Sequence, residues 1–213
     1  MIQAVLFDMD GTLTDTEKYL TRFQQQVMRE LGYEIPIEET YQFRSYASKF
    51  SRVRAKELYG KDFDYDSARA RRRKIMNEHI EKNGIELKPY VEETVQELQK
   101  RGYQTIVVTA TNQKAALECL EKAGIKDLFD TVVSTSMVEN GKPCPDVYLY
   151  ACRQIGKKPE ECLAVEDSPN GVISAWKAGC RVAMVPDLTG PDENTEGKTD
   201  YVFDTLKELL EIL

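Results

Sequence analysis

One histidine and five scattered cysteines are all that these 213 residues offer toward a histidine–cysteine zinc centre or a disulfide framework. His79 stands in a helical stretch without partners, which argues against histidine-rich zinc sites and serine–histidine hydrolysis. No Gly-x-Ser-x-Gly elbow occurs. Cys119, Cys144, Cys152, Cys162 and Cys180 show no Cys-x-x-Cys spacing, and an odd, dispersed set suits reduced thiols better than disulfides. No run of about 18 apolar residues exists, so no membrane span is expected. The chain enters a strand at once, without the basic and apolar regions of a leader peptide. A cytoplasmic protein with no membrane partner is the expectation.

Gly197-Lys198-Thr199 imitates the end of a phosphate-binding P-loop, but Asp192 stands where its first glycine belongs and no helix follows. Asp62, Asp64 and Asp66 imitate the start of a calcium loop, yet Ser67 replaces its turn glycine and Arg73 its terminal glutamate. They are read as loop residues and a helix cap. The net charge of −7 argues against a nucleic-acid partner. Residues 15–88 carry 16 basic against 13 acidic side chains, so this stretch is more positive than the rest and could attract an anion. Arg69-Ala70-Arg71-Arg72-Arg73-Lys74 is read as the solvated face of one helix.

What the chain does have begins at Ala4-Val5-Leu6-Phe7, an apolar strand that delivers Asp8-Met9-Asp10-Gly11-Thr12. Two carboxylates two residues apart repel unless a cation or a proton lies between them. The C-terminal edge of a strand is where open α/β sheets bind ligands. Residues 16–84 have helical periodicity and no strong strand, with helices expected over about 16–31, 38–47, 50–59 and 66–83. Gly32 and Gly60 fall at helix stops. Beyond Pro89, strands near 104–108, 131–134, 162–165 and 181–185 alternate with helices near 91–101, 113–123, 145–155 and 169–178. A short edge strand at Tyr201-Val202-Phe203 and a helix over 205–212 follow. Such alternation predicts an α/β fold, a Rossmann-like parallel sheet with helices on both faces. The helical stretch then forms an inserted all-helical domain, with 1–14 and 88–213 as the core and 15–87 as the insert.

Three further segments accompany the first: Thr105-Ile106-Val107-Val108 ending in Thr109-Ala110-Thr111-Asn112, Gly141-Lys142-Pro143-Cys144-Pro145-Asp146, and Cys162-Leu163-Ala164-Val165 ending in Glu166-Asp167-Ser168. In this order the four closely resemble the signature of the haloacid dehalogenase superfamily, in particular its members similar to β-phosphoglucomutase and phosphoglycolate phosphatase. The resemblance implies a helical cap that closes over a small phosphorylated metabolite. It implies Asp8 as a nucleophile forming an aspartyl-phosphate and Asp10 as general acid and base. Mg²⁺ would be held by Asp8, the Asp10 carbonyl and Asp167, with Glu166 acting through water. Lys142 and Thr109 would bind the transferred phosphate, helped by backbone N–H groups around Ala110. Gly11, Thr12, Thr16, Arg44, Thr111 and Asn112 complete the expected substrate contacts; Asn112 fits a helix cap equally well. Lys49 and Arg52 join Arg44 as candidates for a leaving group's remote charge.

Asp10 separates the chain from true dehalogenases, which lack it, and from phosphonate-cleaving relatives, which carry alanine there. Mutases of the group carry a histidine four residues beyond the threonine, and here that position is Leu20. Their cap glycine is also missing from Gln42-Phe43-Arg44-Ser45. The reading is therefore a Mg²⁺-dependent phosphatase, expected as a monomer. A sugar phosphomutase is the alternative, and a catalytically idle phospholigand-binding protein the alternative of another class.

Overall fold

The computed structural model describes residues 1–213. In chain order they form β1 (Ala4–Phe7), α1 (Glu17–Glu30), α2 (Ser48–Tyr59), α3 (Tyr65–Asn83), α4 (Val91–Lys100), β2 (Gln104–Thr109), α5 (Gln113–Lys122), β3 (Thr131–Ser134), α6 (Asp146–Gln154), β4 (Cys162–Glu166), α7 (Pro169–Ala178), β5 (Arg181–Met184), β6 (Tyr201–Val202) and α8 (Leu209–Ile212). The six strands make one sheet in the order β3-β2-β1-β4-β5-β6, every neighbouring pair parallel.

The central strands are buried on both faces, so their sequences are apolar without alternation. Val5 and Phe7 of β1 point into a core shared with α4 and α5. Ala4 and Leu6 point the other way, into a core shared with α6 and α7. Full burial of each such side chain contributes roughly 1.5–3 kcal/mol. β1 lies between β2 and β4, where the strand order reverses direction. In open sheets the crevice at that point holds the ligand. The register sets Phe7 opposite both Val107 and Val165, so the residues after β1, β2 and β4 emerge together at one edge.

Between β1 and β2 lies the helical insertion, with α1, α2 and α3 packed around Val27, Met28, Ala55 and Phe63. The inbound and outbound chains run side by side: the Asp15 N–H donates to the Glu86 carbonyl and the Lys88 N–H to the Leu13 carbonyl. Asp64 caps α3, its carboxylate accepting from the Ser67 N–H at 3.1 Å, as its place in the sequence suggests. The helix expected over 38–47 is instead a 3-10 turn, Ile37–Phe43. Arg44 is extended and Ser45 takes a left-handed φ of 50°, which stops helix propagation. The last expected helix is likewise split into a 3-10 turn, Leu206–Glu208, and α8. No helix is long and apolar enough to cross a membrane.

Candidate active site

β1 and β4 end side by side, and the residues at their C-terminal ends meet. Asp8, Glu166 and Asp167 bring one carboxylate oxygen each within 4.8 Å of one another, and all three are buried. One oxygen of each finds no hydrogen-bond partner in the protein: Asp8 Oδ2, Glu166 Oε2 and Asp167 Oδ1. The remaining oxygens are held by cations. Lys142, just before α6, donates from Nζ to Asp8 Oδ1 at 2.5 Å, to Glu166 Oε1 at 2.6 Å and to the Val108 carbonyl at 2.9 Å. The Tyr148 hydroxyl on α6 also donates to Glu166 Oε1. From the insertion, Arg44 Nη2 donates to Asp167 Oδ2 at 2.5 Å and to its carbonyl at 3.1 Å.

The electrostatics are those of too many acids for the cations available. Burial raises Asp8, Glu166 and Asp167 above ordinary carboxylates, although Lys142 and Arg44 pull the other way. Glu166 is pushed up to about 8 and Asp167 to about 7. Burial opposes the Lys142 charge, but Asp8 and Glu166 outweigh it and leave the ammonium harder to deprotonate than usual. Glu17, at the start of α1, is a fourth buried acid, raised by burial and by Asp167. Its carboxylate lies 4.0 Å from Arg44. Unpaired buried carboxylates are costly, so this cluster has the chemistry of a cation site.

Asp10 stands apart from the triad. Its carboxylate accepts from the Thr16 hydroxyl at 2.7 Å and the Thr111 hydroxyl at 2.9 Å, one residue on each side of the crevice. Gly11, with φ at 90°, makes this turn possible. A Cβ there would lie 2.4 Å from Asp167 Oδ2, so a side chain is excluded by the acid itself. Thr109 accepts the Thr111 N–H on its hydroxyl at 3.0 Å and shapes the following loop. Asn112 caps α5 through the Ala115 N–H at 3.1 Å.

The insertion closes over this edge and leaves a cavity of about 90 Å³, whose lining includes Asp8, Asp10, Glu17, Ala110, Thr111 and Arg44. Arg69 and Arg72 of α3 line it too, which corrects the sequence reading of the basic run as solvated. At helical spacing these two share a face, whereas Arg71 points outward to Glu30. Their three-residue interval beside Ala68 was the available signal. Lys49 and Arg52 do not reach the cavity: Lys49 bonds Asn140, and Arg52 pairs with Asp66 on the surface. Gly11 and Thr12, expected among the substrate contacts, are buried beneath the loop and do not line it. Arg44 is committed to Asp167 rather than free. Glu17 and Tyr148 escaped sequence reasoning, because neither belongs to a motif and only packing brings them here.

A parallel sheet that presents buried carboxylates and a lysine at its switch point, beneath a helical insertion, has the architecture of an α/β enzyme with an acidic cluster suited to a metal ion. Residues 5–185 match the family model described as Haloacid dehalogenase-like hydrolase, and the chain belongs to that family. It is 32% identical over 216 residues to the pyrophosphatase PpaX of Bacillus mycoides, spanning 100% of this chain and 97% of that protein. It is 29% identical over 221 residues to the phosphoglycolate phosphatase of Vibrio parahaemolyticus, spanning 100% and 96%. Among solved structures, CbbY from Rhodobacter sphaeroides superposes with a TM-score of 0.81 at 26% identity, covering 98% of this chain and 96% of that one. CbbY has been solved with phosphate and, as a mutant, with xylulose-(1,5)bisphosphate.

Proposed function

We propose that the protein is a Mg²⁺-dependent phosphatase that hydrolyses a small phosphate monoester through an aspartyl-phosphate on Asp8. The observation that carries this reading is the set of three orphaned carboxylate oxygens beside a lysine that grips two of the same acids. Hard oxygen donors in that arrangement fit Mg²⁺, held by Asp8, Asp167 and the Asp10 carbonyl, with Glu166 behind them. When bound, the ion would offset the charge of the phosphoryl oxygens during transfer.

Each side chain then has a task. Asp8 attacks phosphorus, and the bond from phosphorus to the leaving oxygen breaks. Asp10, oriented by Thr16 and Thr111, gives its proton to the departing alcohol. In the second half it takes a proton from the water that attacks the aspartyl-phosphate. Lys142 fixes Asp8 and holds positive charge where negative charge develops. Residues 1–14 and 88–213 serve as the catalytic core and 15–87 as the cap, hinged where the two connecting segments run side by side.

Leu20 favours hydrolysis over the mutase alternative. It lines the cavity at the position of the mutases' histidine and supplies no proton carrier. His79, the one histidine, instead packs tilted against Tyr19 and edge-on to Phe23. The test is a Mg²⁺-dependent screen over sugar phosphates, phosphoglycolate and nucleotide monophosphates, following both free phosphate and isomerised product. Phosphate release without isomer is expected. Isomer accumulating faster than phosphate would establish the mutase, and binding of p-nitrophenyl phosphate without turnover the idle binding protein.

A second expectation concerns pH. Because burial raises the triad acids, the folded state binds more protons there than the unfolded chain. Stability without Mg²⁺ should therefore fall as pH rises through about 7 to 8, the range of Asp167 and Glu166. Mg²⁺ competes with those protons. In melting curves, Mg²⁺ should raise Tm by at least about 3 °C more at pH 8 than at pH 6. An equal effect at both values would place the ion away from these acids.

A further inference from the structure

A second and larger space adjoins the first and shares Asp10, Leu20, Thr111, Arg69 and Arg72 with it. It measures about 330 Å³ and lies between α3 of the cap and α5 of the core. Its apolar surface comes from Met9, Leu20, Met76, Ile80 and Ala115. Its charged surface is one-sided: Arg69, Arg72, Arg73, Lys114 and Lys122 face it, opposed only by Glu118 and by Asp10 at the inner end. Lys114 reaches Glu118 loosely, at 3.9 Å. Arg69, Arg72 and Arg73 have no ion-pair partner in the protein, while Arg71 between them pairs with Glu30. Burial, and the proximity of Arg69, weaken the hold of Arg73 on its proton. Five cations facing two carboxylates leave an excess of positive charge that an anion relieves.

The direction of the reaction decides what enters. Asp8 lines only the small cavity, whereas Asp10 lines both. In phosphoryl transfer the attacking and leaving oxygens lie roughly in line, so the leaving group departs on the side away from the nucleophile. The small cavity has room for the phosphoryl group and a few further atoms. Resting on the phosphatase reading, we infer that the α3–α5 groove takes the remainder of the leaving group, and that this remainder is an apolar body ending in an anion. An amphipathic phosphomonoester of this kind uses both surfaces. Phosphoglycolate would leave the apolar floor bare, and an uncharged sugar would leave Arg73, Lys114 and Lys122, the cations that line the groove alone, without an anion.

The test compares 4-carboxyphenyl phosphate with its methyl ester, two substrates of similar shape that differ in the distal charge. The acid should be preferred in kcat/KM by about tenfold, chiefly through KM, as for one charge-assisted contact. In the double variant Arg73→Glu, Lys114→Glu the ratio should fall to about one or below. A ratio near one in the natural protein, or a preference that survives in the double variant, overturns the inference. Calorimetry with 4-carboxybenzylphosphonate and its carboxylate methyl ester reads the same preference in Kd without turnover. Absence of phosphate release from every ester overturns the phosphatase reading alone, because the Kd ratio still tests the groove.

Discussion

Asp8→Asn is expected to lower phosphate release by about 10⁴-fold or more, because an amide is a poor nucleophile at phosphorus. Asp8 is the residue at which the cavity, the acidic cluster and Lys142 meet. The amide keeps the shape but surrenders one charge, so the variant should fold and its Tm should not drop. Asp10→Asn makes the informative contrast. Asp10 lies outside the triad, so its loss should cost several powers of ten in kcat while the Mg²⁺-dependent rise in Tm persists. Rapid-quench capture of phosphorylated protein separates the two: neither amide should accumulate it from an alkyl ester, whereas Asp10→Asn should still do so from p-nitrophenyl phosphate, whose leaving group needs no proton. Undiminished turnover in either variant would reassign the roles.

Lys142→Met is expected to produce the largest loss of stability. Lys142 is fully buried and bonded to Asp8 and Glu166, with a carbonyl as third partner. Removing it strands two buried acids, a change that costs roughly 3–5 kcal/mol. For a chain of this size that corresponds to a Tm lower by about 6–20 °C. The sign of the pH effect follows from the acids. Protonation of Asp8 and Glu166 relieves the variant, so the gap to the natural protein should be narrower at pH 6 than at pH 8. Mg²⁺ should recover part of the loss, since it supplies charge to the same oxygens. A variant that melts within about 2 °C of the natural protein at both values would remove Lys142 from this role.

These three variants probe residues of very different legibility. Asp8 and Asp10 follow an apolar strand, and Glu166 ends another with Asp167 directly after it, so their arrival at one sheet edge could be inferred from pattern alone. Lys142 precedes a helix and has no periodicity to betray that its ammonium turns inward. Its place came from resemblance to a family. The cap was readable as helices but not as a surface. In α3, arginines stand at 69, 71, 72 and 73, and composition cannot say which of them face the cavity. That depends on where α1 and α2 bear on the helix, through Val27, Met28 and Ala55. The same holds for Lys49 and Arg52, whose charges are spent on Asn140 and Asp66.

Ser45 illustrates the limit in one residue. Serine does not favour a left-handed conformation, yet the backbone adopts φ of 50° there. The left-handed turn places Arg44 in the heart of the site, where it neutralises Asp167 instead of waiting for a substrate. Tertiary contact outweighed a local cost of roughly 1–2 kcal/mol.

From sequence alone came the alternation that demands a parallel sheet, the helical character of the insertion, and the acids at the strand ends. These are local or nearest-neighbour properties: strand and helix periods, and the burial that each pattern requires. Which oxygens remain without partners, which arginines of α3 meet the core, and the groove beside Asp10 were decided by packing. They depend on side chains up to about 160 residues apart in the chain, as Asp8 and Asp167 are, and no local rule of sequence carries that distance.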